Sequence, residues 1–172
     1  MRNIYLVGFM GAGKSSIGSA LAGRLGHAFV DLDEHLVAEF GMPIHEIFER
    51  FGEERFRDAE RQALRWTTGL EETVIATGGG AFCSNANRDL IHGAGGCSVF
   101  LDVPWEVVER RLVGNQSGRP KFADVDSARR LYSDRRAHYL QASWTIDLAG
   151  SESPREAARR IVTVMKGTPC VT

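Results

Sequence analysis

Apolar residues recur along the chain in two rhythms. Short apolar-rich stretches at residues 3–7, 28–31, 72–77, 97–101 and 144–147 read as strands, the first of them buried. Between them apolar positions return every three or four residues, as Ile17, Leu21 and Leu25 do, which is the spacing of one helix face. The helices predicted in this way cover 16–25, 34–40, 44–66 with a pause at Gly52, 85–92, 105–112, 127–142 and 154–166. Gly26 stops the first, Pro43 breaks the second, and Pro154 stands at the start of the last. Strands alternating with helices imply a parallel sheet, and right-handed crossovers put helices on both of its faces. The expected fold class is therefore α/β, a three-layer αβα sandwich on a five-stranded parallel sheet, as one domain over residues 1–172. The helical insertion between the second and third strands exceeds what a crossover needs, so residues 33–61 are expected to form a substrate-holding flap. The tail at 167–172 is expected to fray.

The first strand runs into Gly8-Phe9-Met10-Gly11-Ala12-Gly13-Lys14-Ser15, which fits G-x-x-x-x-G-K-[ST], the phosphate-binding P-loop. Glycines let the backbone curl so that N–H groups point at phosphate oxygens, and the helix that follows adds the positive end of its dipole. Lys14 can reach the β- and γ-phosphates, and the Ser15 hydroxyl can ligate Mg²⁺. The motif implies a nucleoside triphosphate and a metal but leaves the fate of the γ-phosphate open.

Other strand ends narrow that question. The second strand ends in Asp31-Leu32-Asp33. One carboxylate there can hold Mg²⁺, directly or through water, and the other can orient a substrate hydroxyl and accept its proton. Alternatively, Asp33 caps the helix at 34–40. Gly78-Gly79-Gly80 follows the third strand and permits close backbone approach to a ligand, or forms a plain turn. Asp102 ends the fourth strand. It suits a Walker B metal ligand or a cap for the helix at 105–112, and the cap is preferred because Asp31 already offers a metal partner. Residues 113–126 have loop composition and carry Arg119, either a lid arginine that closes on phosphate or a solvated spare. Arg50, Glu53, Arg55 and Asp58 read by default as a solvated helix face, and composition alone does not single out Arg57.

Composition removes other classes. The net charge of −1 gives no basic footprint for nucleic acid or a membrane surface. No apolar run approaches the ~20 residues of a membrane helix, and the immediate entry into a strand leaves no room for a signal peptide. Cys83, Cys97 and Cys170 are odd in number and lack C-x-x-C spacing, which suits reduced thiols in a cytoplasmic protein. No apolar seam suggests a partner chain, so a monomer is expected. The N-K-x-D motif of GTPases is absent. A small-metabolite or nucleotide kinase remains.

At this point the chain resembles the shikimate kinase family from Gly8 to about Pro154. Its P-loop, its Asp31-x-Asp33, the run I-x-E-I-F-x-x-x-G-E-x-x-F-R-x-x-E at 44–60, Thr77-Gly78-Gly79-Gly80 and Arg119-Pro120 all match family motifs. Gluconate kinases share the P-loop but not F-R-x-x-E together with the triple glycine. The resemblance implies a P-loop NTPase of nucleoside monophosphate kinase-like fold. It also implies transfer of the ATP γ-phosphate to the 3-hydroxyl of shikimate, a step of aromatic amino acid biosynthesis. ATP would lie on Gly11, Ala12, Gly13, Lys14, Ser15, Ser16, Arg119 and Pro154, with Mg²⁺ on Ser15 and Asp31. Shikimate would be bound by Asp33, Arg57, Gly79, Gly80 and Arg135, walled by Phe48 and Phe56, with Glu60 fixing Arg57. Arg135 stands four before Tyr139, as the family's R-x-x-x-Y requires, and Arg136 beside it is the alternative. Lys14, Asp33 and Arg119 would carry the catalysis.

Overall fold

The computed structural model describes residues 2–114 and 125–167. Chain order is β1 (Ile4–Val7), α1 (Lys14–Leu25), β2 (Ala28–Asp31), α2 (Leu32–Phe40), α3 (Ile44–Thr67), β3 (Thr73–Ala76), a 3-10 turn at Ala81–Cys83, α4 (Asn85–Gly93), β4 (Cys97–Asp102), α5 (Trp105–Gly114), α6 (Val125–Tyr139), β5 (Trp144–Asp147) and α7 (Pro154–Gly167). The five strands pair in parallel in the order β2-β3-β1-β4-β5. The sheet predicted from the apolar runs is therefore present. Every residue of β1, β3 and β4 is buried, as expected when helices cover both faces of a parallel sheet.

Register decides what stands beside what. Leu6 of β1 and Asp31 of β2 both pair with Ala76 of β3. The segments leaving β1, β2 and β3 therefore start level with one another at the carboxyl edge. In an open α/β sheet that edge, beside the central strand where the connections change direction, is where ligands bind. At the opposite edge a buried Asn3 ties three elements together. Its Nδ2 donates to the carbonyls of Thr67 (3.0 Å) and Leu70 (2.7 Å), and its Oδ1 accepts from the Thr73 N–H (3.1 Å).

Several local expectations are corrected. The cap of α2 is Asp31, not Asp33: its Oδ1 accepts from the N–H groups of Asp33 (2.9 Å) and Glu34 (3.3 Å), which leaves Asp33 in the first helical turn. Asp102 does not cap α5. The Pro104 carbonyl accepts from Val107 and Val108 at the start of that helix, and the Asp102 carboxylate pairs with Arg136 from α6. Cys83 is a free thiol, as expected, and Cys170 lies outside the described residues. Gly52 breaks α3 as expected, with φ 80 and ψ 169. Helices α5 and α6 extend into the expected loop at 113–126, and its centre, with Arg119, lies outside the described residues. No helix among the described residues is long and apolar enough to cross a membrane.

Candidate active site

A cavity of about 1010 Å³ opens at the carboxyl edge of the sheet. One end is the P-loop. Gly11 and Gly13 hold φ of 78° and 94°, a left-handed backbone that glycine adopts without strain. Gly13 is the N-cap of α1 and offers no side-chain cap, so the first N–H groups of that helix remain for an anion. Gly11, Ala12, Gly13, Lys14, Ser15 and Ser16 all line this end. The Lys14 ammonium donates to the carbonyls of Gly8 (2.8 Å) and Phe9 (3.0 Å), which lays it across the loop. The Ser15 hydroxyl donates to Asp31 Oδ2 at 2.5 Å. Asp31 thus has one oxygen on the α2 cap and the other against Ser15. This hydroxyl–carboxylate pair beside a phosphate cradle suits Mg²⁺, which takes few protein oxygens and keeps phosphate and water as its other ligands.

The other end is built from α2, α3, the triple glycine and α6. Phe48 and Phe56 pack against each other at a 32° tilt with centroids 4.3 Å apart, and the Arg57 guanidinium lies over both rings at 5.9 and 5.3 Å. Glu60, one turn further along α3, receives Arg57 Nη1 at 2.9 Å, and Glu53 receives Nη2 at 3.3 Å. Arg57, which composition alone would not single out from the charged run around it, turns inward and is held by aromatic faces and a buried acid.

The triple glycine explains itself by what a methyl group would strike. A Cβ on Gly78 would lie 2.5 Å from Glu60 Oε1 and 3.0 Å from Asp33 Oδ1. On Gly79 it would lie 3.4 Å from the Met10 nitrogen of the P-loop and 3.7 Å from Arg135 Nη1. On Gly80 it would lie 2.6 Å from Arg57 Nη1. Each glycine abuts a different polar group of the cavity. Lack of space accounts for Gly78 and Gly80, whereas a Cβ on Gly79 would make only ordinary van der Waals contacts.

Glu60 is 2 % exposed, and its Oε1 has no hydrogen-bond partner among the described residues. Burial pushes its pKa up; Arg57 opposes this, Asp33 adds to it and Arg135 opposes it. Burial works to lower Arg57, but Glu60 and then Glu53 outweigh it and raise the guanidinium. Within this contact the guanidinium is held charged, and the acid is harder to ionise than in the unfolded chain. Its stabilising contribution is complete below the unfolded value of about 4.3 and is lost as pH rises through the raised folded value. Glu60→Gln removes that titration. The melting temperature of the variant relative to the parent should therefore climb as pH is raised from acid to neutral. A difference that stays flat across that range in paired thermal melts would contradict the raised value.

The structure separates two pairs of adjacent arginines that sequence could not. Arg135 lines the cavity, while Arg136 is held by Asp102. Arg111, unlike Arg110, also lines the cavity, and it was missed. Its Nη1 donates to the Gly11 carbonyl (2.8 Å) and its Nη2 to the Gly150 carbonyl (3.0 Å), which ties the P-loop to the segment before α7. That segment carries Pro154 on the cavity wall and is shaped by Glu152, whose carboxylate accepts from the N–H groups of Ala149 (3.0 Å) and Gly150 (2.8 Å). Two neighbouring arginines on one helix gave no signal that would pick Arg111. Of the residues expected in the site, all but Arg119 are described, and all of those line this one cavity.

Comparison with known proteins agrees with this geometry. The family model for shikimate kinase matches residues 10–166. A shikimate kinase from Geobacter sulfurreducens is 41% identical over 168 residues, covering 96% of this chain and 91% of that one. Among solved structures, a shikimate kinase from Acinetobacter baumannii in complex with shikimate superposes with a TM-score of 0.91 at 33% identity, over 99% of this chain and 96% of that one. The shikimate kinase from Aquifex aeolicus gives 0.82 at 34% identity, over 96% of each chain. With the match running from the P-loop into the last helix, the chain belongs to the shikimate kinase family.

Proposed function

We propose that the protein transfers the γ-phosphate of ATP to the 3-hydroxyl of shikimate, yielding shikimate 3-phosphate and ADP. The observation that carries this reading is one cavity with two unlike ends: a phosphate cradle at Gly11–Ser16 and, facing it, two arginines and a carboxylate at Arg57, Arg135 and Asp33. An anionic polyol needs that combination. Planar guanidinium groups match its carboxylate in a forked geometry, and a carboxylate accepts from its hydroxyls. In this reading Arg57 and Arg135 take the acid group. Asp33 orients the 3-hydroxyl and receives its proton, and Phe48 and Phe56 wall the ring. Gly79 and Gly80 bring their backbone against the acceptor and the γ-phosphate.

At the other end, Lys14 stabilises charge on the transferring phosphoryl group, and Arg119, outside the described residues, joins it. Ser16 and Pro154 complete the nucleotide contacts. Mg²⁺ would be held by Ser15 and Asp31 and would neutralise phosphate charge when bound. Residues 33–61 act as the flap and 113–126 as the lid that excludes water from the transfer. The working form proposed is a monomer. It is placed in the cytoplasm, where its co-substrate ATP is available.

The test is a substrate panel. Purified protein with Mg·ATP should release ADP when shikimate is added and should show no comparable stimulation by gluconate or other polyols. Turnover with gluconate but not shikimate would overturn the acceptor assignment while leaving the kinase fold intact.

A further inference from the structure

We infer that Tyr139 is a positioning residue for the acceptor site: its hydroxyl holds the Gly79 carbonyl, sets the plane of the Gly79–Gly80 peptide and so aims the Gly80 N–H into the cavity. The inference rests on the proposed acceptor site. Tyr139 ends α6, is 1 % exposed, and donates its hydroxyl to the Gly79 carbonyl. Its ring is seated on Phe100, with centroids 5.2 Å apart.

The hydrogen bonds of the triple glycine divide sharply. The Gly78 carbonyl accepts from Ala81 (3.2 Å) and the Gly80 carbonyl from Cys83 (3.1 Å), so the turn satisfies both by itself. The Gly79 carbonyl has Tyr139 instead. Among the described residues, no hydrogen bond engages the N–H groups of Gly78, Gly79 or Gly80. No peptide bond among them is cis, so each C=O is antiparallel to the N–H of the next residue in the same plane. Gly79 and Gly80 line the cavity, and Tyr139 stands behind them. With its carbonyl drawn back to Tyr139, the Gly79–Gly80 peptide turns its N–H the opposite way, toward the cavity.

A clamp is needed at this peptide in particular. Further along, Asn87 Nδ2 holds the Ala81 carbonyl (2.8 Å) and Arg88 Nη1 holds the Phe82 carbonyl (2.6 Å), so the turn after Gly80 is fixed from behind. Glycines on both sides of the Gly79–Gly80 peptide offer little steric resistance to its rotation. Arg135 lies one turn before Tyr139 on the same face of α6. One helical turn thus brings both a guanidinium to the cavity and the clamp to the peptide beside it. Burial pushes the Tyr139 phenol far above its ordinary value, so it remains a donor at every working pH.

Tyr139→Phe keeps the ring on Phe100 and deletes only the hydroxyl. The expected result is a rise of about five- to tenfold in the KM and Kd for shikimate, with the KM for ATP and the melting temperature close to those of the parent. In the ligand-free protein, the Gly80 amide should show millisecond exchange broadening in the variant and none in the parent. That readout does not depend on the acceptor. Exchange in the variant supports the clamp even if the parent proved inactive on shikimate, a failure that would count against the proposed function instead. An unbroadened Gly80 amide in the variant overturns the inference. So does an equal weakening of ATP and shikimate accompanied by a lowered melting temperature, because that pattern marks a packing role.

Discussion

Lys14→Met should lower kcat by about 10³-fold, the scale seen when one preorganised charge-stabilising donor is removed, with the fold and shikimate binding preserved. The side chain stands at the first position of α1, where its ammonium spans the P-loop by donating to the Gly8 and Phe9 carbonyls. Those carbonyls are weak partners for a full charge, and a triphosphate entering the cradle offers far stronger ones. The lysine is thus poised to exchange loop carbonyls for phosphate oxygens as negative charge moves toward the leaving ADP. Methionine keeps the length and the apolar stem, so the loop should retain its shape. Arg57, Asp33 and Glu60 stand at the other end of the cavity and should still bind the acceptor. The measurements are ADP release under saturating substrates and shikimate affinity without nucleotide. A kcat within tenfold of the parent would remove Lys14 from charge stabilisation. Loss of shikimate binding as well would show that the change had spread beyond the loop.

How much of this could be read in the sequence follows from which constraints are local. The P-loop was legible because its spacing is dictated by backbone conformation: Gly11 and Gly13 need their positive φ wherever such a loop exists. The three inner strands, β1, β3 and β4, were legible because burial on both faces leaves apolar-rich stretches, whereas β2 and β5 lie at the sheet edges and are only partly buried. Arg57 was different. By itself the run 53–60 reads as a solvated helix, and its inward turn depends on Phe48, Phe56 and the Gly80 backbone meeting it in space. Only the likeness to a family singled it out. Arg111 left no trace because its partners, the Gly11 and Gly150 carbonyls, are about 100 and 39 residues away, and any residue type presents a carbonyl. Asp102 was misread for a related reason. An acid before a helix suggests a cap, yet a cation from α6, 34 residues on, takes the carboxylate. Asp31 was read only in part: its place at the strand end beside the P-loop was legible, but its cap geometry became visible only once α2 was found to start at Leu32.

Gly80→Ala should raise the KM for shikimate by about ten- to a hundredfold, the range for disturbing a charge-assisted contact, with the KM for ATP almost unmoved. The backbone at Gly80 has φ −101 and ψ −16, which alanine adopts without strain. The cost falls on a neighbour. The new methyl would sit 2.6 Å from Arg57 Nη1 and 2.9 Å from both Cζ and Nη2, closer than such atoms can approach. What gives way is the guanidinium, because it is the end of a flexible side chain held by Glu60 at 2.9 Å and Glu53 at 3.3 Å. The fold keeps its core, and the Arg57 cation leaves the position from which it would meet a carboxylate. Gly78 is a poorer choice for this experiment, since a methyl there would meet Oε1 of the buried Glu60 at 2.5 Å and disturb stability as well. The decisive comparison is with Arg57→Ala. If Gly80→Ala acts only through Arg57, the double variant should lose little more shikimate affinity than Arg57→Ala alone. Full additivity of the two losses would mean that the Gly80 backbone contributes by a separate route, and an unchanged shikimate KM in Gly80→Ala would show that Arg57 does not need its observed position to bind the acceptor.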